Sequence, residues 1–103
     1  MEPFGGFEWD GGNRDKCCKH GLSVTDIECV LLNTETLIVP DEKNSKIEPR
    51  FIAIGRATNG RYALVVFTPR KREGEAVLRP ISARYMHRKE IEKYAQEISR
   101  AQN

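Results

Sequence analysis

No stretch of this 103-residue chain is apolar for long enough to cross a membrane. The longest run, Ala63 to Phe67, is five residues, against the roughly 20 a spanning helix needs. The first ten residues, Met1 to Asp10, carry neither the basic start nor the apolar core of a secretion leader, so a cytoplasmic protein without a membrane role is the expectation. Cysteine is scarce. Cys17, Cys18 and Cys29 are odd in number and show no CxxC spacing, which excludes a disulfide framework in a chain of this kind. Cys18 and His20 stand close together, but the two further ligands a zinc site requires are missing. No metal and no cofactor are therefore expected. A phosphate loop, a dinucleotide fingerprint, an HExxH pair and a nucleophile elbow are all absent, which removes the common nucleotide-binding and hydrolase signatures.

Neither charge dominates the whole chain, whose net charge is +2 with 31% charged and 39% hydrophobic residues. That is the composition of a folded globular protein, and the length suits one domain, 1–103, with residues 1–6 loosely ordered around Gly5-Gly6. The balance hides an asymmetry. Residues 1–48 hold five Lys/Arg and ten Asp/Glu, a net of −5, whereas residues 49–103 hold twelve and five, a net of +7. Such a split fits a basic face for a polyanion beside an acidic segment, and equally a mixed solvated surface.

The pattern along the chain reads as an α+β domain. Phe7-Glu8-Trp9 alternates as a short strand. Asp10 is a suitable N-cap for a helix over about Asn13–His20, stopped at Gly21, although Gly11-Gly12 weakens its start. Ser23, with Asp26 three residues on, opens a second helix in which Ile27, Val30 and Leu31 form one stripe. Leu37-Ile38-Val39 is strand-like and stopped by Pro40, and the polar stretch Asp41–Pro49 reads as a loop. Strands follow at about Arg50–Thr58, Arg61–Thr68 and Val77–Arg84. Asn59-Gly60 predicts a two-residue hairpin between the first two. Pro69–Glu75 reads as a charged loop, with Arg70-Lys71-Arg72 solvated. The run Arg61–Thr68 is apolar on both faces and should be central. Pro80 places the last strand at an edge or a bulge. Met86–Asn103 closes the chain as one helix, with Ile91, Tyr94, Ala95 and Ile98 on its stripe. The expected architecture is an antiparallel meander of about four strands with two N-terminal helices and one C-terminal helix.

The chemistry-bearing residues are basic. Lys16, Lys19 and His20 are spaced to share one helical face. Arg50 opens a strand, Arg79 and Arg84 sit in another, and Tyr85, His87 and Arg88 follow at once. Metal-free RNA cleavage needs such a kit: a base for a 2′-hydroxyl, an acid for the leaving 5′-oxygen, and cations for the crowded phosphorane. Arginine suits the last role, and histidine either of the first two. Bland readings stand beside these. His20 beside Gly21 also suits a helix C-terminus. Lys16 and Lys19 also suit a solvated helix surface. Arg79 and Arg84, five residues apart, fall on opposite faces of a regular strand unless a bulge at Pro80 shifts the phase.

Several blocks together resemble the BrnT family. They are Phe7-Glu8-Trp9-Asp10 with Asn13, Lys16, Lys19-His20-Gly21 and Ser23; Glu48-Pro49-Arg50-Phe51-Ile52-Ala53-Ile54-Gly55-Arg56; Leu64-Val65-Val66-Phe67-Thr68; and Arg79-Pro80-Ile81-Ser82-Ala83-Arg84, then Glu90 and Tyr94. The likeness runs from about Phe7 to Tyr94. It implies a RelE-like fold and a ribonuclease toxin of a type II toxin–antitoxin pair. It also implies a BrnA-like antitoxin whose ribbon-helix-helix dimer binds operator DNA and assembles with the toxin as a heterotetramer. Under it, Lys19, His20, Arg50, Arg79 and Arg84 are the expected catalytic set. Lys16, Arg56, Tyr85, His87 and Arg88 are the expected RNA contacts. Val24, where the family carries an aromatic residue, and the long charged segment Thr68–Val77 depart from the pattern. A degenerate member that only binds antitoxin or nucleic acid, and a generic RNA-binding module, are the competing readings.

Overall fold

The computed structural model describes residues 5–44 and 46–101. Two helices lead, α1 (Gly11–Cys17) and α2 (Val24–Leu32); four strands follow, β1 (Leu37–Pro40), β2 (Phe51–Arg56), β3 (Tyr62–Arg72) and β4 (Glu75–Tyr85). Two short helices end the chain, α3 (Arg88–Lys93) and α4 (Ala95–Ala101). The sheet order is β1-β2-β3-β4, every pair antiparallel. The fold is thus α+β, with β3 central as its two-sided apolar pattern requires.

Local chemistry explains the helix starts. Asp10 and Asn13 form a reciprocal capping box at α1, and Ser23 and Asp26 do the same at α2. The first box offsets the entropy cost of two glycines, so α1 begins at Gly11, earlier than its propensity suggests. The helix also ends early, at Cys17 rather than His20. The C-terminal segment is two helices instead of one, broken at Tyr94.

Both hairpins differ from expectation. Thr58, Asn59 and Gly60 form a three-residue loop, closed by Gly60 N–H to Ala57 O at 2.9 Å, with Gly60 at φ +84°. Its glycine supplies the left-handed residue that such a loop needs. The stretch read as a charged loop, Pro69–Glu75, is mostly strand. β3 runs on to Arg72, which faces Glu75 across the tight turn Glu73-Gly74, both residues at positive φ. That is the primed turn whose twist matches the flanking strands.

The two sheet faces bury different clusters. Ala53, Ala63, Val65, Phe67 and Ala83 pack against Ile27, Val30 and Leu31 of α2, with Cys17 and Leu22. On the other face Ile54, Met86 and Ile98 meet Leu37, Ile52, Tyr62, Leu64, Ile91 and Tyr94. Burial pushes the Cys17 thiol up to about 11, in keeping with a core residue. The three cysteines are free.

The N-terminal segment borders β4. Gly5 N–H donates to Ala76 O, Leu78 N–H to Gly6 O and Glu8 N–H to Leu78 O. Phe7 bridges Leu78 in parallel. The looseness expected of residues 1–6 lies, for 1–4, outside the described residues.

Among the described residues no helix is long and apolar enough to cross a membrane.

Candidate functional site

A bulge in β4 sets the geometry. Val66 pairs with Ser82, but Phe67 pairs with Pro80, leaving Ile81 unmatched. Beyond it Thr68 faces Arg79, and before it Leu64 faces Arg84. Thr68 and Leu64 are four residues apart and share a face of β3, so Arg79 and Arg84 share that face too. A regular strand would have separated them. The bulge is held from outside the sheet: buried Asn13 donates from Nδ2 to Pro80 O at 2.8 Å and to Glu8 O at 3.0 Å. Along β3 the two arginines are roughly 13 Å apart at the usual strand rise.

Around Arg79 lies a hollow of about 270 Å³ lined by Lys16, Arg50, Arg70, Arg79, Glu48 and Asn13, among others. Carboxylates hold Arg70 and Arg79. Glu8 is a hub for Arg70 at 3.4 Å, Arg72 at 2.5 Å and Arg79 at 3.3 Å. Arg79 also meets Asp10 at 2.9 Å. The Asn13 backbone N–H, and then the Arg79 guanidinium, hold the Asp10 carboxyl below its ordinary range. Arg70 turns its other nitrogen to both Glu48 oxygens at 3.2 Å.

A second hollow follows the same face around Arg84, floored by Ile52, Leu64, Val66 and Ser82 and reached by His20. It opens past His20 and Arg84 to Arg61, Tyr85 and His87. Arg84 makes a fork with Glu90, at 2.7 and 2.6 Å. That fork, then the His87 backbone N–H, brings the Glu90 carboxyl down to about 2. The Arg61 guanidinium stacks over the Tyr85 ring at 3.9 Å, and Asn59 Nδ2 donates to the Tyr85 hydroxyl at 3.0 Å.

The expected residues are therefore divided. Arg50, Arg79 and Lys16 share the first hollow; His20, Arg84, Tyr85 and His87 share the second. Lys16, Lys19 and His20 do not form one helical face, because α1 stops at Cys17 and the latter two lie in the turn beyond it. Lys19 is exposed and lines neither hollow. Arg56 stacks over Tyr62 at 4.7 Å at the far end of β2, and Arg88 is exposed on α3. Sequence reasoning missed Arg70, Glu48, Glu8 and Asn13. Arg70 was legible in principle: Thr68, Arg70 and Arg72 continue the period of two beyond the apolar run, and Glu73-Gly74 is a hairpin turn. Among the described residues no three His, Cys, Asp or Glu side chains converge to hold a metal ion.

An open sheet face that gathers arginines around such a hollow is the surface of a protein that handles a polyanion. A family model describing BrnT, the ribonuclease toxin of type II toxin–antitoxin systems, matches residues 9–90, most of the chain. The chain belongs to the BrnT family. None of the curated proteins compared with it matches. Family membership makes it a type II ribonuclease toxin by kind, with RNA as substrate and an antitoxin as partner.

Proposed function

We propose that this chain is a single-domain, RelE-like, metal-independent endoribonuclease. It cleaves RNA by attack of a ribose 2′-hydroxyl on the adjacent phosphate. The observation that carries the reading is the bulge, which turns Arg79 and Arg84 onto one open face with Arg50, Lys16 and His20 beside them. Arg50 and Arg79 neutralise the phosphorane, a role that preorganised cations perform without rearrangement. Arg84 and His20 extend the run toward the neighbouring nucleotide, with Lys19 exposed beside His20. Tyr85 offers a stacking surface, and His87, Arg56 and Arg88 add outlying contacts. The antitoxin is BrnA-like, its dimer holding two toxins and the operator DNA.

Expression of the chain alone should arrest bacterial growth and degrade RNA, and the purified protein should cleave RNA in EDTA. Loss of all cleavage in EDTA, restored by magnesium or zinc, would defeat metal independence. Light scattering with and without the co-expressed antitoxin tests the heterotetramer. A free toxin homodimer that persists unchanged beside the antitoxin would sink it.

A second reading, a member that binds without cleaving, draws on one observation: Arg79 and Arg84 are each held by carboxylates. Normal growth at high soluble expression selects it.

A further inference from the structure

The five-residue set leaves a gap. Histidine is the residue type of that set best suited to proton exchange, and His20 lines the hollow around Arg84, not the one around Arg50 and Arg79. A phosphate held by Arg50 and Arg79 needs its own proton acceptor and donor. Arginine supplies neither, because it stays protonated, and asparagine does not titrate. Among the residues lining that hollow, the side chains able to exchange a proton are Glu48 and Lys16.

We propose that Glu48 is the general base of the cleavage and Lys16 the general acid, a proposal that rests on the ribonuclease reading above. Glu48 sits two residues before Arg50 at the mouth of β2, half-buried, with both oxygens turned to Arg70 at 3.2 Å. Arg70 is fixed in turn by the Glu8 hub. The carboxylate is therefore oriented by the same network that orients Arg79. In the reaction the O2′–H bond breaks and its proton passes to the Glu48 carboxylate. O2′ bonds to phosphorus and the P–O5′ bond breaks. Its electron pair stays on O5′, which takes a proton from the Lys16 ammonium. The products are a 2′,3′-cyclic phosphate and a 5′-hydroxyl, and solvent returns Glu48 and Lys16 to their starting charges. The His20–Arg84 hollow then receives the adjoining nucleotide.

The test compares the purified full chain with Glu48→Gln, Glu48→Asp and His20→Gln in single-turnover cleavage of a mixed-sequence RNA. Binding is measured on a 2′-O-methyl oligonucleotide, which lacks the nucleophile. Glu48→Gln should lose about 10²- to 10⁴-fold in rate, the usual share of a positioned base, with binding held within about threefold. It should also lose the acid limb of the pH–rate profile, on which the wild-type rate rises with pH as the base deprotonates. Wild-type fragments should carry 5′-hydroxyl ends. His20→Gln should weaken binding more than it slows the cleavage step.

Undiminished cleavage by folded Glu48→Gln, with wild type active, overturns the Glu48 assignment alone. So does a rate loss matched by an equal binding loss, or a retained acid limb, since a merely structural ion pair would give either. Should Glu48→Gln fail to fold, Glu48→Asp decides. Its carboxylate is drawn back by one methylene and should cost about tenfold or more through misplacement; a full rate overturns the proposal. A wild-type chain that cleaves no RNA overturns the ribonuclease reading and this proposal with it.

Discussion

Arg84 and Glu90 meet as a two-pronged fork, Nη1 to Oε1 at 2.7 Å and Nη2 to Oε2 at 2.6 Å, while Glu90 Oε1 also accepts the His87 backbone N–H at 3.0 Å. One carboxylate thus closes the start of α3 and fixes an arginine of the sheet face. A matching contact ties the same end of the sheet to α2, on its other face. There Thr58 Oγ1 donates to Asp26 Oδ1 at 2.5 Å, and this, then the Ser23 N–H, lowers Asp26 to about 2.

Acid should loosen both contacts. Glu90 and Asp26 are brought down to about 2 from 4.5 and 3.8, so the unfolded chain takes up protons first as pH falls. Their stabilisation is whole above the unfolded values and is lost as pH drops from about 4.5 through about 2. Thermal unfolding across that range should show a steep decline in the wild type and a shallower one in Glu90→Gln. Equal slopes would mean that the fork contributes nothing to acid sensitivity.

Arg79→Ala should reduce RNA cleavage by about 10² to 10³, the range seen when one preorganised donor is removed from a transition state. It also strips Glu8 and Asp10 of a shared partner. A fall in melting temperature on the order of 5 °C should accompany it, the shift that about 1 kcal/mol produces in a domain of this size. A folded variant with full activity would place the phosphate elsewhere.

Arg70→Ala should slow cleavage more than Arg72→Ala. Both touch Glu8, but Arg70 lines the hollow and grips Glu48, whereas Arg72 is the more exposed of the two. The expected gap is about tenfold or more, since a misplaced group beside a reacting centre is costly. Equal rates would remove Arg70 from the site.

Asn13→Ala should be the most damaging of these to the fold. The side chain is buried, accepts from the Asp10 N–H at 2.8 Å and donates to two carbonyls. Removing it leaves those groups unpaired, at a cost of about 2 kcal/mol, or roughly 10 °C in melting temperature. A smaller change, below about 2 °C by the same scaling, would show that α1 does not brace the bulge.

The sheet was legible because its signals are local. The two-sided apolar run in Arg61–Thr68 marks a central strand, Pro80 marks an edge or bulge, and Asp10 and Ser23 mark helix starts. The phase of β4 was not, because Ile81 is extruded by a contact between Asn13 and Pro80 that spans 67 residues. Without that phase, Arg79 and Arg84 cannot be put on one face. The carboxylate network escaped notice for a related reason. Glu8 finds Arg70 and Arg79 across separations of 62 and 71 residues, and no local period joins them. Arg70 was misplaced because charge was read as loop, whereas two positive-φ residues after Arg72 let the strand run on.

Trp9 is the one tryptophan of the chain and sits between Glu8 and Asp10, the two acids that clasp Arg79. Its ring packs on the core, and its indole N–H donates to Glu28 of α2 at 2.9 Å. The protein therefore carries a built-in optical gauge. Light emitted by this indole reports the docking of the segment that holds the arginine. RNA or antitoxin that pulls Arg79 from its acids should register as a change in that emission, with no dye attached.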